Sequence, residues 1–332
     1  MADRSLRVLA VARRIIAACD FDASGDLTHW VGDWTFLGLA GLLDPPRPEA
    51  ASAIARCRQA GIQVKMITGD HKATAAAIGR ELGLAGGRAG EVINGAELDA
   101  LDASALAARI DTINVFARVT PVHKVRIVQA LQRAGHVVAM TGDGVNDAPA
   151  LKAADIGIAM GINGTAVTRE AASMVLADDN FASIVRAVEE GRVVFDNIVK
   201  FVRFQLSTNI GAMLTVLAAT LAGMPAPFTA IQLLWINIIM DGPPAMTLGI
   251  EPARAGIMRD TPRNQAADIL TPARLGRLAL YGLTMTVGTL WLFQFALAER
   301  GQTYALTLAF TTFVLFQFFN VFNARNEHGS AF

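Results

Sequence analysis

Three short polar strings, each closing an apolar run, carry the residues best able to do chemistry. They are "MITGD" (Thr68, Gly69, Asp70), "FARVTPVHK" (Arg118, Lys124) and "TGDGVND" (Asp143, Asn146, Asp147). The glycines allow sharp turns and close backbone approach. Asp143 ends its apolar run, and Asp147 follows four residues later where a helix should start. Hard oxygens in that arrangement suit Mg2+, which takes one or two carboxylates together with phosphate oxygens and water. Lys124 offers a compact positive charge for a transferring phosphoryl group. Asp, Asn and Gly also serve as caps and turn formers, so each residue taken alone stays open to that reading. As a set in this order they argue for a site.

The elements that must position these residues follow an α/β rhythm between Gly41 and Asn180. "IQVKMIT", "TINVFARV", "HVVAMT", "ADIGIAM" and "ASMVLAD" read as strands. Amphipathic stretches at Pro48–Ala60, Lys72–Leu82 and Pro121–Ala134 read as helices between them. That alternation predicts a parallel, Rossmann-like sheet with crossover helices, in which ligands gather at the carboxyl ends of the strands. "GLLDPPRPEA", with three prolines in four positions, reads as a stiff hinge leading into a helix. Residues 1–40 fit the rhythm poorly and are expected to be the remnant of another domain, with the α/β domain covering 41–197.

Composition separates a second half. The 332 residues are 53% hydrophobic with formal net charge +0, and mean hydropathy is +0.39. No basic footprint for nucleic acid appears. Four apolar stretches of bilayer-spanning length lie at about 198–222, 228–250, 278–298 and 303–322. A buried helical core is the alternative, which four such runs in succession disfavour. Lys200 and Arg203 flank the first span, and Arg254, Arg259, Arg263, Arg274 and Arg277 lie between the second and third. The first hairpin, "GMPAPFT", carries no charge, and the other short loop has only Glu299 and Arg300. Positive residues therefore share a side with the α/β half, which predicts that this side is cytoplasmic. Cys19 and Cys57 have no metal or redox spacing and read as inert thiols in a reducing compartment.

Polar residues inside a span are functional candidates by default. Asp241 is the acid of the second span, with Asn237 one helical turn earlier. Gly242-Pro243-Pro244 cannot continue a regular helix and should free backbone carbonyls beside Asp241. Asn209 supplies an amide from the first span, the alternative being a hydrogen bond between helices. An oxygen set of this kind suits Ca2+ or Mn2+.

The strings "MITGD", "FARVTPVHKVRIVQALQ", "MTGDGVNDAPALKAADIGIAMG" and "SMVLADDNFASIVRAVEEGR" resemble the P-type cation-transporting ATPases, whose phosphorylation domain is haloacid-dehalogenase-like. "LLWINIIMDGPPAMTLGIEP" looks like the calcium-transporting branch, closest to the secretory-pathway Ca/Mn pumps and their bacterial relatives. The resemblance implies ATP as substrate and Mg2+ held by Asp143, with Asn146 and Asp147 supporting the phosphate site. It implies Lys124 against the phosphoryl group, and Thr68, Gly69, Asp70 and Arg118 along the nucleotide phosphates. Asp44 and Arg47 would belong to the hinge between nucleotide and phosphorylation domains. It also places a transported Ca2+ or Mn2+ at Asn209, Asn237 and Asp241, in a multi-pass protein of a bacterial plasma membrane.

Departures from the family pattern shape the expectation. Ala212 and Met240 stand where two-site pumps carry a glutamate and a threonine, and Asn320 is expected to replace the acid of the fourth span. One cation per cycle is therefore expected, with the Met240 sulfur leaving Mn2+ open. The family's Asp-Lys-Thr-Gly-Thr string is not in this sequence. Without a nucleophile covalent catalysis fails, so the chain alone is expected not to turn over ATP. It reads as the C-terminal part of a pump whose remaining portion lies upstream or is separately encoded. The alternatives are a non-catalytic membrane subunit or regulator, and a pump for another cation such as H+ or Na+/K+.

Overall fold

The computed structural model describes residues 7–17, 25–42, 45–86, 91–263 and 268–325. Asp44 and Cys19 lie outside them. The chain forms two compact units, Met1–Arg186 and Ala187–Phe332.

The first unit opens with an antiparallel ribbon, β1 (Arg7–Arg13) against β2 (Thr35–Leu42). Large apolar side chains of this ribbon, among them Leu9, Phe36 and Leu39, are exposed. The α/β part then runs α1 (Pro48–Gln59), β3 (Met66–Ile67), α2 (Lys72–Glu81), β4 (Val92–Asn94), α3 (Gly95–Asp99), α4 (Ala103–Arg109) and β5 (Val115–Ala117). It continues with α5 (Pro121–Arg133), β6 (Ala139–Gly142), α6 (Ala148–Ala153), β7 (Ile156–Met160), α7 (Ala166–Ala171) and β8 (Met174–Leu176). The strands form two parallel sheets of three, ordered β3-β5-β4 and β6-β7-β8.

Local chemistry explains the helix starts. α5 begins at Pro121, whose missing N–H is no loss in a first turn. Thr120 caps it in a box with His123. Asn94 and Glu97 form the same reciprocal box on α3, and Asp102 caps α4. Beneath these elements Leu98, Leu106, Ile110, Ile113, Phe116 and Ile127 make one dry cluster. Full burial of each such side chain stabilises by about 1.5–3 kcal/mol. Ile67 of β3 packs against this cluster and also against the one formed by Val128, Val138 and Met140 below β6. The Cys57 thiol is buried on α1, and burial pushes its pKa up.

α8 (Phe181–Leu221) starts in the first unit and runs on through the second. α9 (Ala230–Trp235), a π-helical turn (Ile236–Met240) and α10 (Gly242–Gly249) follow, then α11 (Pro272–Arg300) and α12 (Gln302–Arg325). α8, α11 and α12 are long and apolar enough to cross a bilayer. The second expected span, 228–250, is a broken element instead of one continuous helix. The Asp241 N–H donates to Ile236 O across a π turn at 3.0 Å. Pro243 and Pro244 then occupy the first turn of α10. Having no N–H, they leave the carbonyls of Ile239 and Met240 without α-helical donors.

The core of this unit joins Phe228, Ile236, Met285, Phe293, Ala305, Ala309 and Phe313. Phe228 meets Phe313 edge to face, with ring centroids 5.3 Å apart. A Cβ at Gly282 would come within 2.8 Å of the Ile210 side chain, so glycine there lets α8 and α11 close up. Thr286 bridges the same crossing by donating to Gly211 O. Trp291, Phe295, Leu315 and Phe319 point outward, as suits a lipid-facing surface.

Candidate functional site

The first site is built where β6 ends. The strand delivers Thr141 and Gly142, and the chain then turns through Gly144 into a short 3-10 turn at Val145–Asp147. A side chain at Gly142 is excluded, because a Cβ there would lie 2.4 Å from the Asp147 Cβ. The glycine therefore seats Asp147, which is buried. One Asp147 oxygen takes the Lys124 ammonium, and the other accepts the Gly144 N–H at 3.2 Å. Asp143 differs: its side chain is exposed and has no partner among the described residues. Its backbone is held from behind, where Asp143 O accepts from the Thr165 N–H at 3.0 Å and the Thr168 hydroxyl at 3.4 Å. A free carboxylate beside a neutralised one, with Asn146 exposed on the same turn, fits the one-or-two-carboxylate habit of Mg2+.

Lys124 is aimed by the start of α5. His123, buried ahead of it, accepts the Thr120 N–H on Nδ1 at 3.2 Å and pairs through Nε2 with Asp99 at 2.9 Å. His123 and Asp99 were missed by sequence reasoning; the capping pattern at Thr120 was the signal.

After β3, Thr68 donates its hydroxyl to Asp70 Oδ2 at 2.9 Å and accepts the Asp70 N–H at 3.1 Å. Gly69 and Asp70 are exposed. The Arg118 N–H donates to Asp70 O at 3.0 Å, with Arg118 at φ +51°. A non-glycine residue in that left-handed region is uncommon and marks a held backbone. Thr68, Asp70 and Arg118 are thus brought together on one sheet, and Lys124 meets Asp147 at the end of the other. Arg47 does not reach this group. Its guanidinium donates to Asp179 O, and the Asp179 carboxylate accepts the N–H groups of Ile162 and Asn163. Those backbone donors, Ile162 foremost, hold the Asp179 carboxyl below the usual range.

In the second unit Asp241 is 1% exposed. Gln317 Nε2 donates to its Oδ1 at 3.0 Å and Gln205 Nε2 to its Oδ2 at 3.3 Å. Neither glutamine was singled out beforehand, although a lone Gln in "FVLFQFFN" and in "FVRFQLS" was the available signal. Asn320, the expected fourth-span replacement, donates to Ser207 Oγ at 2.6 Å instead. The fourth-span amide that reaches Asp241 is Gln317. Asn209 and Asn237 are exposed, and neither side chain is hydrogen-bonded to Asp241. Met240 is buried and Ala212 joins the apolar core. At the spans' charged end, Glu251 answers both Lys200, at 2.9 Å, and Arg325.

The comparisons with known proteins agree with this two-part anatomy. Residues 8–155 match the haloacid dehalogenase-like hydrolases, and residues 225–332 match the cation transporting ATPase C-terminus. A haloacid dehalogenase-like unit is thus joined to the C-terminal part of a cation-transporting ATPase. The chain belongs to the P-type cation-transporting ATPases. It is 44% identical to the calcium-transporting ATPase of Bacillus subtilis, over 98% of this chain and 36% of that protein. Human calcium-transporting ATPase type 2C member 1 is 46% identical over 91% of this chain and 33% of its own. The calcium-transporting ATPase 1 of Saccharomyces cerevisiae is 45% identical over 100% of this chain and 35% of its own. The chain spans about a third of the length of the curated relatives it matches. It is a multi-pass membrane protein.

Proposed function

We propose that this chain is the phosphate-handling and cation-carrying portion of an ATP-driven pump that moves Ca2+, and also Mn2+, through an aspartyl-phosphate cycle. The observation that carries the reading is the pairing of two unlike centres in one chain. One is a free carboxylate beside a Lys124–Asp147 pair at the end of a parallel strand. The other is a buried carboxylate, Asp241, at a break in a membrane element. In the first centre Asp143, with support from Asn146 and Asp147, would hold Mg2+, and the bound ion supplies charge neutralisation for phosphate oxygens. Lys124 neutralises charge on the transferring group. Thr68, Gly69, Asp70 and Arg118 line the nucleotide phosphates.

The acceptor aspartate is supplied by a segment of the pump other than this chain. Two edge strands, β3 and β6, each end in Thr-Gly-Asp, which favours a nucleophile delivered between them. The α/β unit lies on the cytoplasmic side of a bacterial plasma membrane, on the side of Arg254, Arg259, Arg274 and Arg277. The spans present Asp241 to the cation. Asn209 and Asn237 join it with their amide oxygens.

The test is complementation. The chain is co-expressed with the remaining two thirds of the Bacillus subtilis relative, and ATP-dependent 45Ca2+ uptake is measured in membrane vesicles. Uptake is expected with both parts, and not with this chain alone. It should be lost on Asp143→Asn and on Asp241→Asn. Uptake that survives both substitutions would overturn the proposal.

A further inference from the structure

Just before α8 turns apolar, one side of it borders a cavity of about 330 Å³ that it shares with the segment 254–263. Three arginines, Arg192, Arg254 and Arg263, line it against two aspartates, Asp196 and Asp260, so the lining carries a positive surplus. Arg254 pairs with Asp196 at 2.6 Å and also with Asp260. Arg192 donates to the carbonyls of Ile257 and Asp260, each at 2.9 Å. These contacts fasten the segment to α8 and build the cavity wall. Arg263 is placed differently. Its guanidinium carbon lies 4.0 Å from the centroid of the Phe195 ring, and it has no carboxylate partner among the described residues. A ring face steadies the cation while leaving its N–H edges open to an acceptor. Gly191 lines the same cavity. Glycine inside a helix costs about 1 kcal/mol relative to alanine. Close packing does not call for it here, since a Cβ would meet nothing within 4 Å. What the bare position does is leave the cavity unfilled.

We propose that this cavity binds the phosphate group of an anionic ester, with Arg263 as the residue that grips it. The guanidinium fork matches two phosphate oxygens at once, and stacking on Phe195 fixes its orientation beforehand. An anionic ester answers the positive surplus of the lining, which a zwitterionic one does not. The volume suits such a ligand, because small-molecule pockets begin at about 300 Å³. A phosphate headgroup fits that space and its acyl chains do not. The level of the cavity favours a lipid source. Phe195 stands three residues before Ile198, about 4.5 Å along the axis from the start of the apolar stretch. The headgroup layer extends about 5–7.5 Å beyond the hydrocarbon on each side. Arg192 and Val188 stand about 9 and 15 Å above the same point, so the upper wall reaches past that layer toward water. A water-soluble phosphate ester presents the same group to the same donors.

The experiment is native mass spectrometry of the full 332-residue chain in detergent micelles without Mg2+. Separate arms add phosphatidylglycerol, phosphatidylcholine, glycerol 3-phosphate and glycerol. The parent, Arg263→Ala, Arg263→Lys, Gly191→Leu and Arg300→Ala are compared, each checked for fold by circular dichroism. Arg300 is also stacked on a ring, that of Tyr304, but at the other end of α11, so its loss removes one charge without touching the cavity. The parent should bind at least one of the two anions more tightly than its uncharged or zwitterionic counterpart. Arg263→Ala should weaken that binding by about tenfold, as for loss of hydrogen bonds to a charged group. Arg263→Lys should restore only part of it, since lysine keeps the charge and loses the fork. Gly191→Leu should weaken it comparably while changing no charge, because it fills the space. Arg300→Ala should leave it unchanged. Preference for phosphatidylglycerol assigns the cavity to a lipid headgroup, and preference for glycerol 3-phosphate alone assigns it to a soluble ester; either upholds the proposal. No preference for either anion, equal weakening by Arg263→Ala and Arg300→Ala, or a silent Gly191→Leu would overturn it. If Gly191→Leu does not fold, the contrast between the Arg263 and Arg300 variants decides.

Discussion

Removing the Lys124 ammonium should loosen the turn that carries both carboxylates of the phosphate centre. In Lys124→Met the side chain keeps its length and loses its charge, so Asp147 Oδ1 is left buried without a counter-charge. The two side chains are 19% and 9% exposed. Orphaning one member of a buried pair costs about 3–5 kcal/mol. The open edge of this site and the Gly144 N–H still on Oδ2 bring the expected cost to about 2–3 kcal/mol. Asp147→Asn orphans the more exposed partner and should cost less, about 1–2 kcal/mol. With both substitutions no charge remains to be orphaned. The double variant should then be no worse than Lys124→Met, a coupling of about 1–2 kcal/mol. Hydrogen exchange by mass spectrometry on the detergent-solubilised chain reads this directly in peptides covering 121–147. A cost of 2–3 kcal/mol appears as exchange about 30- to 140-fold faster. Costs that simply add in the double variant would refute the reasoning, since they would mean that each group is stabilised by something other than its partner.

Two further outcomes follow from the same unit. Gly142→Ala drives a methyl to within 2.4 Å of the Asp147 Cβ. It should cost about 1–3 kcal/mol, a fall in melting temperature of about 2–12 °C. Gly144→Ala, whose nearest neighbour is 3.7 Å away, should be close to silent, and equal effects of the two would count against the close-approach argument. Lys65 donates to the carbonyls of Ile110 and Ile113, and burial lowers its pKa from 10.5 to about 8. Between those values the unfolded chain holds a proton that the folded chain has released, so this group's contribution to stability rises with pH across that window. Denaturant melts at pH 8, 9 and 10 should show the rise, and Lys65→Met should flatten it; an unchanged slope would remove Lys65 as its source.

The helices at 48–59, 72–81 and 121–133 were legible because each carries its own start signal and a long enough apolar period. The stretch 92–109 was not. A three-residue strand and helices of five and seven residues are too short for any periodicity to register. Hydropathy located the apolar part of α8 but not its start at Phe181, because Glu189, Glu190 and Arg192 continue the helix without being apolar. The break at Gly242 was legible from its prolines. The π turn before it was not, since nothing in "INIIM" distinguishes five residues per hydrogen-bonded ring from four. The choice between Gln317 and Asn320 was equally hidden. Positions i and i+3 share a helix face, both residues are buried, and only packing shows that one meets Asp241 and the other Ser207.

The buried acids divide by the kind of partner they have. Among the described residues three are buried: Asp147, Asp179 and Asp241. Asp147 has a lysine, and Asp179 has two backbone N–H groups that hold its carboxyl ionised. Asp241 has two side-chain amides and no cation, although cations are near in the chain. Lys200 stands five residues before Gln205 on the same helix, about 7.5 Å along its axis. That lysine is instead bound to Glu251, and Arg203 donates to Asn323 O. The nearby positive charges are thus taken up elsewhere, and the buried Asp241 carboxylate faces only neutral groups. Such an arrangement is costly in a bilayer, and a lysine turned toward Asp241 would remove the cost. In the proposed function, the missing positive charge is that of the transported cation.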